Sequence, residues 1–311
     1  LSGGVRLAIR APLPSAGMRG IQIVQDGIPL TMADGTTQPN NIDLGSAGRI
    51  EVLRGPSSVL YGNSAGGVIT IRTEFPDAQR LVVEPDVQVG SFGYQRQAVK
   101  VQGTSGSVGY LVNLTRSETD GFRTNDGNGY GHSEVRQANA VIGVRLSPAT
   151  ELRGVFNLFD LPFGENPSSL ALADAQTRPT FVRPQVIDAG LGESATQGQG
   201  GVTFEHRFTN ANTMRVTGWG MWRDLRNPIP AQIIELNRVG AGLRSEYQGA
   251  LRLGSMAGEW TTGLDVSRTA ALSPRAIPSS RCRSTTRVNE CGPLSNCRFL
   301  NCRRNCSDTQ P

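Results

Sequence analysis

Cysteine is missing from the first 281 residues of this 311-residue chain; all five lie at 282, 291, 297, 302 and 306. The body therefore has no disulfide framework. Histidine is nearly absent, with only His132 and His206. Neither stands near a G-x-S-x-G element, so no nucleophilic triad is offered and no catalytic residue is expected. No apolar run approaches the roughly 18 residues of a membrane-crossing helix. Charge is scarce, at 18% of residues, and the net +5 sits mostly at one end. Residues 276–311 carry six arginines against Glu290 and Asp308. The body has no basic stripe, which argues against nucleic acid as a partner. A phosphate loop is excluded too, because "YGNSAGG" has no following Lys-Ser/Thr.

Glycine is abundant instead, 38 residues, and mean hydropathy is −0.27 despite the low charge. Ser, Thr, Asn and Gln supply the polarity, a composition that suits turns and strands with one wet face. Three zones follow. Residues 1–76 read as a small mixed α/β unit. "GIQIVQDGIPL" is a strand, an Asp-Gly turn and an edge limited by Pro29. "RIEVLRG" is a second strand. Pro56 opens about one helical turn, which Gly62 stops. "GGVITIRT" is a further strand.

Residues 77–275 change rhythm. Strands are expected near 81–90, 94–103, 107–117, 133–146, 150–160, 196–209, 212–223, 240–253 and 258–270, several with period-two alternation. Val108, Tyr110, Val112 and Leu114 share one face. Most of these strands are long enough for a tilted bilayer crossing of roughly 9–11 residues. Tight turns at 104–107, 147–150, 209–212 and 254–258 alternate with long loops at 118–132, 161–195 and 224–239. That alternation is the mark of an up-and-down membrane barrel, whereas a soluble sandwich has shorter strands. Trp219, Trp222, Tyr247 and Trp260 are either interfacial girdle residues or ordinary packing.

The alternation ends at 276–311. Cysteine spacings there lack paired zinc knuckles, and no histidine is near. A small metal appendage, a disulfide knot with one cysteine over, and an out-of-frame or disordered tail all remain open. The abrupt break in composition favours the last. No metal and no cofactor are expected for the body.

Residues 26–73 closely resemble the plug domain of TonB-dependent outer-membrane receptors. The matching pieces are Asp26-Gly27-Ile28-Pro29-Leu30, Arg49-Ile50-Glu51-Val52-Leu53-Arg54-Gly55-Pro56, Leu60-Tyr61-Gly62 and Gly66-Gly67-Val68-Ile69, in order and at family spacing. "VGSFGYQ" and "ETDGFR" are similar to the family's first barrel hairpins. The resemblance implies a plug followed by an incomplete antiparallel transmembrane barrel, about nine of roughly 22 strands. The chain would then be a piece holding the later part of the plug and the first barrel strands. The family's TonB-contacting segment is not seen ahead of Leu1, and Ala11 stands where the family has glycine.

The resemblance also assigns roles. Glu51 and Arg54 would join a plug–barrel charge network, with solvated strand residues as the alternative. Gly55, Gly62, Gly66 and Gly67 would permit turns and close approach inside the lumen. Among the long loops, 173–185 offers Arg178, Phe181 and Arg183 to an anionic, partly aromatic ligand. The implied activity is TonB-driven uptake of a scarce nutrient, first a ferric siderophore and then another metal chelate, at the bacterial outer membrane. Outer-membrane lipid and the TonB system would be its partners, and no enzyme activity is implied. A passive pore, an adhesin or a gene remnant are the competing readings.

Overall fold

The computed structural model describes residues 20–32, 35–37, 41–55, 61, 64, 66–74, 81–125, 127–230, 232–253, 256–272, 275–278, 282–283 and 305–306. Ala11, the helical turn after Pro56 and Gly62 lie outside these residues, as does the expected boundary at 76.

Two sheets carry the chain. The small one contains β1 (Ile21–Gln25), β2 (Ile28–Pro29), β3 (Ala47–Arg54) and β4 (Gly67–Thr73), in the order β2-β1-β4-β3. Asp26 and Gly27 take φ of 51° and 85°, so the predicted Asp-Gly turn closes the β1–β2 hairpin with two left-handed residues. β1 runs parallel to β4, and β3 antiparallel to it. Ile21, Ile23, Leu30 and Ile71 form the buried core of this unit. β3 is largely bare, with Ile50, Val52 and Leu53 exposed.

The large sheet is a meander. It contains β5 (Val82–Val89), β6 (Gln95–Ser105), β7 (Val108–Thr119), β10 (Ser133–Ser147), β11 (Thr150–Glu165), β12 (Gly192–Thr209), β13 (Asn212–Ile229), β14 (Gln232–Leu253) and β15 (Met256–Ala271). Each pairs antiparallel with the next in chain order, apart from a small hairpin set between β7 and β10. These are the nine strands expected from the alternation. All but β5 are longer than expected, reaching 22 residues in β14.

Its two faces are the reverse of a soluble sheet. Asn113, Thr115, Asn139, Asn157, Gln199 and Thr217 are buried on the inner face. Between them along the strands, Val112, Leu114, Ile142, Phe156, Val202, Leu243 and Val266 point outward and are exposed. On β12 the outward apolar rows run from the Gly198 position, which Trp222 covers, to His206. Eight steps at ~3.3 Å each make that band about 26 Å long, measured along the strand.

One expected loop is not a loop. Residues 224–239 were read as a long connection, but β13 continues to Ile229 and β14 begins at Gln232, with Pro228 facing Ile233. Pro228 and Pro230 suggest a break, yet the cross-strand ion pair of Arg226 with Glu235, at 3.3 Å, spans this extension. The other two long connections carry structure of their own. Residues 120–132 hold the hairpin of β8 (Arg123–Asn125) and β9 (Asn128–Tyr130). The second contains α1 (Leu172–Thr177) and α2 (Pro184–Asp188).

Pairing also runs beyond the expected end of the barrel. β16 (Arg275–Pro278) adds to β14, and β17 (Cys282–Arg283) pairs with β18 (Asn305–Cys306). The rest of the tail lies outside the described residues.

Candidate functional site

The small sheet docks on the inner face of the large one, and the seam is built row by row. Lys100, Asn113, Asn139, Asn157 and Gln199 are successive cross-strand partners on β6, β7, β10, β11 and β12. A strand's period of two puts each inward while its apolar neighbours face out. Asn113 Nδ2 donates to Asp43 Oδ2 at 2.7 Å. Asn139 Nδ2 donates to Ser46 Oγ, and to Thr73 Oγ1 at 3.2 Å. Asn157 Nδ2 donates to Asn139 Oδ1, and Gln199 Nε2 to Asn157 Oδ1 at 3.1 Å. At the end of the row Lys100 bridges Glu74 of the small unit, 2.7 Å, and Glu84 of β5, 2.9 Å.

One row toward the short-turn end, the seam becomes apolar. Ile28 and Met32 pack with Val141, Val155, Trp219 and Met221. Gly201 is required there, since a Cβ would lie 2.7 Å from Ile28 Cδ1 and 2.7 Å from the Gly218 carbonyl oxygen. Asp26 closes the next row. Its carboxylate accepts from Thr73 N at 2.9 Å and Thr73 Oγ1 at 2.5 Å. It also sits 3.5 Å from Arg153 Nη2 on β11, with its side chain 1% exposed. At the other end Gln137 Nε2 donates to the Ile42 carbonyl, 3.2 Å, and Arg238 Nη1 to Thr36 Oγ1, 2.9 Å. The seam is not fully satisfied. Among the described residues the Gln25 amide, Gln199 Oε1 and Trp219 Nε1 are buried without a partner.

The sequence reading singled out none of these wall amides or the role of Asp26, and its own candidates sit elsewhere. Glu51 pairs with Arg49 at 2.5 Å and accepts from Thr70 Oγ1 at 3.3 Å, both within the small sheet. Arg54 is exposed on β3. Gly55 and Gly67 adopt φ of 110° and 145°, which favour glycine. Gly66 donates its backbone N–H to Gly20 at 2.8 Å. Trp219 is buried in the seam, so it is packing. Tyr247 and Trp260 are outward, 5.4 Å apart, and continue through Phe208 and His206 to Phe204 as an aromatic strip near the short-turn end. Trp222 is outward and partly exposed.

The long connections form a cap. Tyr130, Val182, Val186 and Leu191 make its core. Arg123, 8% exposed, donates to the carbonyls of Phe181 at 2.9 Å, Pro167 at 3.2 Å and Ser168 at 3.4 Å. Burial, and then the nearby Arg183, lower its pKa. Glu165 accepts the backbone N–H groups of Gly131 and His132, both at 2.9 Å. Burial, followed by the Glu165 charge, pushes Tyr130 up to about 12. On the cap surface Arg178 stacks 3.9 Å over Phe181 and pairs with Asp174 at 2.8 Å. Arg183 is exposed and donates to Ser168 Oγ at 3.3 Å. The loop candidates Arg178, Phe181 and Arg183 are thus on one folded surface, with part of the Arg178 charge already neutralised.

With this geometry in place, known proteins supply a frame. Residues 11–68 match the family model described as the TonB-dependent receptor plug domain. About four fifths of the chain is similar in fold to several solved receptors. The ferric yersiniabactin uptake receptor FyuA from Yersinia pestis aligns with TM-score 0.63 and 17% identity, over 80% of this chain and 39% of that one. The ferripyoverdine receptor of Pseudomonas aeruginosa gives 0.63 and 15%, over 80% and 36%. The ferric-catecholate import receptor Fiu from E. coli K12 gives 0.62 and 16%, over 82% and 44%. The chain therefore spans well under half the length of the receptors it matches. It couples a mixed plug unit to an open antiparallel sheet with the fold of a receptor barrel's first strands.

Proposed function

We propose that this chain, a TonB-dependent receptor plug domain joined to opening strands of its barrel, serves the uptake of a ferric chelate across a bacterial outer membrane. The observation that carries the reading is the inside-out wall. An apolar outer band about 26 Å long along tilted strands suits lipid contact, and a polar inner face suits a lumen. Charged side chains Arg116, Glu134, Arg136 and Asp160 begin just beyond that band, at the cap end. Arg116, the first cause, and Arg136 hold the Glu134 carboxyl below its usual range.

The seam supports active transport over a passive pore. Its contacts fill the inner face with hydrogen bonds to the plug, so solutes have no open path along this stretch of wall. Those that Asn139 and Gln137 make to Ser46, Thr73 and Ile42 are neutral, each worth about 1 kcal/mol net, while Asp43, Glu74, Asp26 and Arg238 bring a charge to the others. A plug held that way is firmly seated at rest yet can be displaced by a pulling partner such as TonB. The cap at the long-connection end would face outward and meet the cargo first. No step of this mechanism needs covalent chemistry, so the reading is of a receptor, not an enzyme.

Uptake of iron-55 chelates in iron-starved cells, with the gene present or deleted and TonB active or depleted, tests the proposal. Uptake of at least one ferric chelate should require both. Equal uptake of every chelate with and without the gene would overturn it.

A further inference from the structure

We infer that the outer face of the wall holds a groove for the sugar headgroup of a membrane glycolipid, set at the cap-end border of the apolar band and built around Trp222, Thr196, Asp224 and Asn237. The inference rests on the membrane placement in the uptake reading, and it names a lipid partner, not a cargo. The two borders of the band differ. At the short-turn end Phe208, Tyr247 and Trp260 stand ring beside ring. At the cap end the last apolar row is Leu158, Gly198, Trp222 and Val239, successive cross-strand partners on β11 to β14. The benzene end of the Trp222 indole reaches over Gly198, where a Cβ would stand 1.9 Å from Cη2. The ring is thus laid along the sheet, and the residue stays 40% exposed.

The next outward row toward the cap is Asp160, Thr196, Asp224 and Asn237, and the row beyond it holds Ser194, Arg226 and Glu235. A groove of about 570 Å³ runs between these two rows. Leu161 and Ala195 beneath it are 2% and 4% exposed and turn inward to pack with Phe159, so the groove opens on the lipid side. Thr196 Oγ1 donates to Asp160 Oδ1 at 2.9 Å, and the Arg226–Glu235 pair closes the far side at 3.3 Å. Asp224 and Asn237 are exposed. A hydroxyl, a carboxylate and an amide can trade hydrogen bonds with sugar hydroxyls in both directions. An aromatic face beside them covers the apolar C–H side of a sugar ring. A phosphate headgroup would instead meet the carboxylates of Asp160 and Asp224, a like-charge contact. The apolar band begins at Trp222 itself, with Val202 and Leu243 exposed farther along it. A sugar carried on acyl chains fills groove and band together, which a free sugar cannot do.

The test uses the complete gene product in phosphatidylethanolamine nanodiscs containing a diglucosyl diacylglycerol that carries a diazirine on its sugar. Light-induced labelling of residues 222–237, read by mass spectrometry across a range of glycolipid contents, gives the apparent affinity. Trp222→Leu should lower it about tenfold. Asp224→Ala and Asn237→Ala should each lower it about fivefold, the loss of one hydrogen bond. Both of these residues are exposed, so their variants test the groove without disturbing the core. Trp260→Leu, at the opposite border, should leave labelling unchanged. A phosphatidylglycerol with the same tag on its headgroup should label the stretch weakly. Equal labelling by the two lipids, or glycolipid labelling indifferent to Trp222→Leu and Asp224→Ala, would overturn the groove. So would competition by free maltose as effective as that by untagged glycolipid, because the site would then take soluble sugar. Iron-55 uptake scores the other reading separately. Absent uptake with labelling intact removes the transport reading and leaves the groove, whereas a protein that does not insert into nanodiscs removes the membrane placement and the groove with it.

Discussion

Along the seam between plug and wall, polar contact is spread over many groups on five strands, whereas in the cap it converges on Arg123. Both regions bury polar atoms that water would otherwise serve. The seam shares that task among Asn113, Asn139, Asn157 and Gln199, and among the described residues it leaves a few atoms unmet. The cap places one cation against three carbonyl oxygens. A distributed seam can be opened contact by contact. A cap with a single hub is all-or-none. The difference is one of cooperativity: the seam can yield in steps, and the cap stands or falls around one side chain.

The largest effect should come from striking the hub. Arg123→Met removes three donors at once from partly buried carbonyls, each loss worth about 1–3 kcal/mol. The cap should lose about 3–5 kcal/mol of local stability, seen as rapid protease cleavage between residues 166 and 191. Arg123→Lys should fall between, since an ammonium cannot span three carbonyls as a planar fork does. A cap that resists cleavage equally in both variants would mean that its apolar core alone holds it.

Asn139 is the sharpest point of the seam. It donates to Ser46 and Thr73 of the plug and accepts from Asn157. Asn139→Leu keeps the branched shape but strands those partners, and should weaken plug docking by about 2–3 kcal/mol. The measurement is the urea concentration at which the plug becomes protease-sensitive while the barrel stays resistant. The apolar contacts of Ile28 and Met32 lie one row away, so docking should survive in dilute buffer. Complete plug release in Asn139→Leu would show that the seam has a hub after all.

The sequence made the architecture legible because two strong periods carry it. Alternation in "SVGYLVNLTR" set the wall strands, and the Asp26-Gly27 turn set the first hairpin. The seam was harder to read. Asn113, Asn139, Asn157 and Gln199 are dull singly, and only the register brings them into one row across four strands. A polar amide flanked by outward apolar residues, as in Val112-Asn113-Leu114, was the available signal. The cap was illegible for a different reason. Arg123 contacts residues more than forty positions away, and no local pattern encodes that. The 224–239 stretch misled because its prolines speak about hydrogen-bond donors, while the Arg226–Glu235 pair that bridges the strands lies across the turn.

The smallest effect is a titration, and it separates the two regions by chemistry. Tyr130 is buried in the cap, and its phenol is pushed from 10.0 to about 12. Between those values the folded cap keeps a proton that the unfolded chain has lost. Stability must then fall as pH rises through that window, and it is unaffected below it. The seam amides have no proton to give up there, so plug docking through the amide row should not respond. Tyrosinate absorbance of the wild type minus that of Tyr130→Phe isolates this one phenol among the five tyrosines. A late step near 12, sharpening to the ordinary range once the cap is opened by Arg123→Met, is the expected outcome. A Tyr130 step near 10 in the intact protein would mean that the cap core admits water, and the contrast between a rigid cap and a yielding seam would fail at its base.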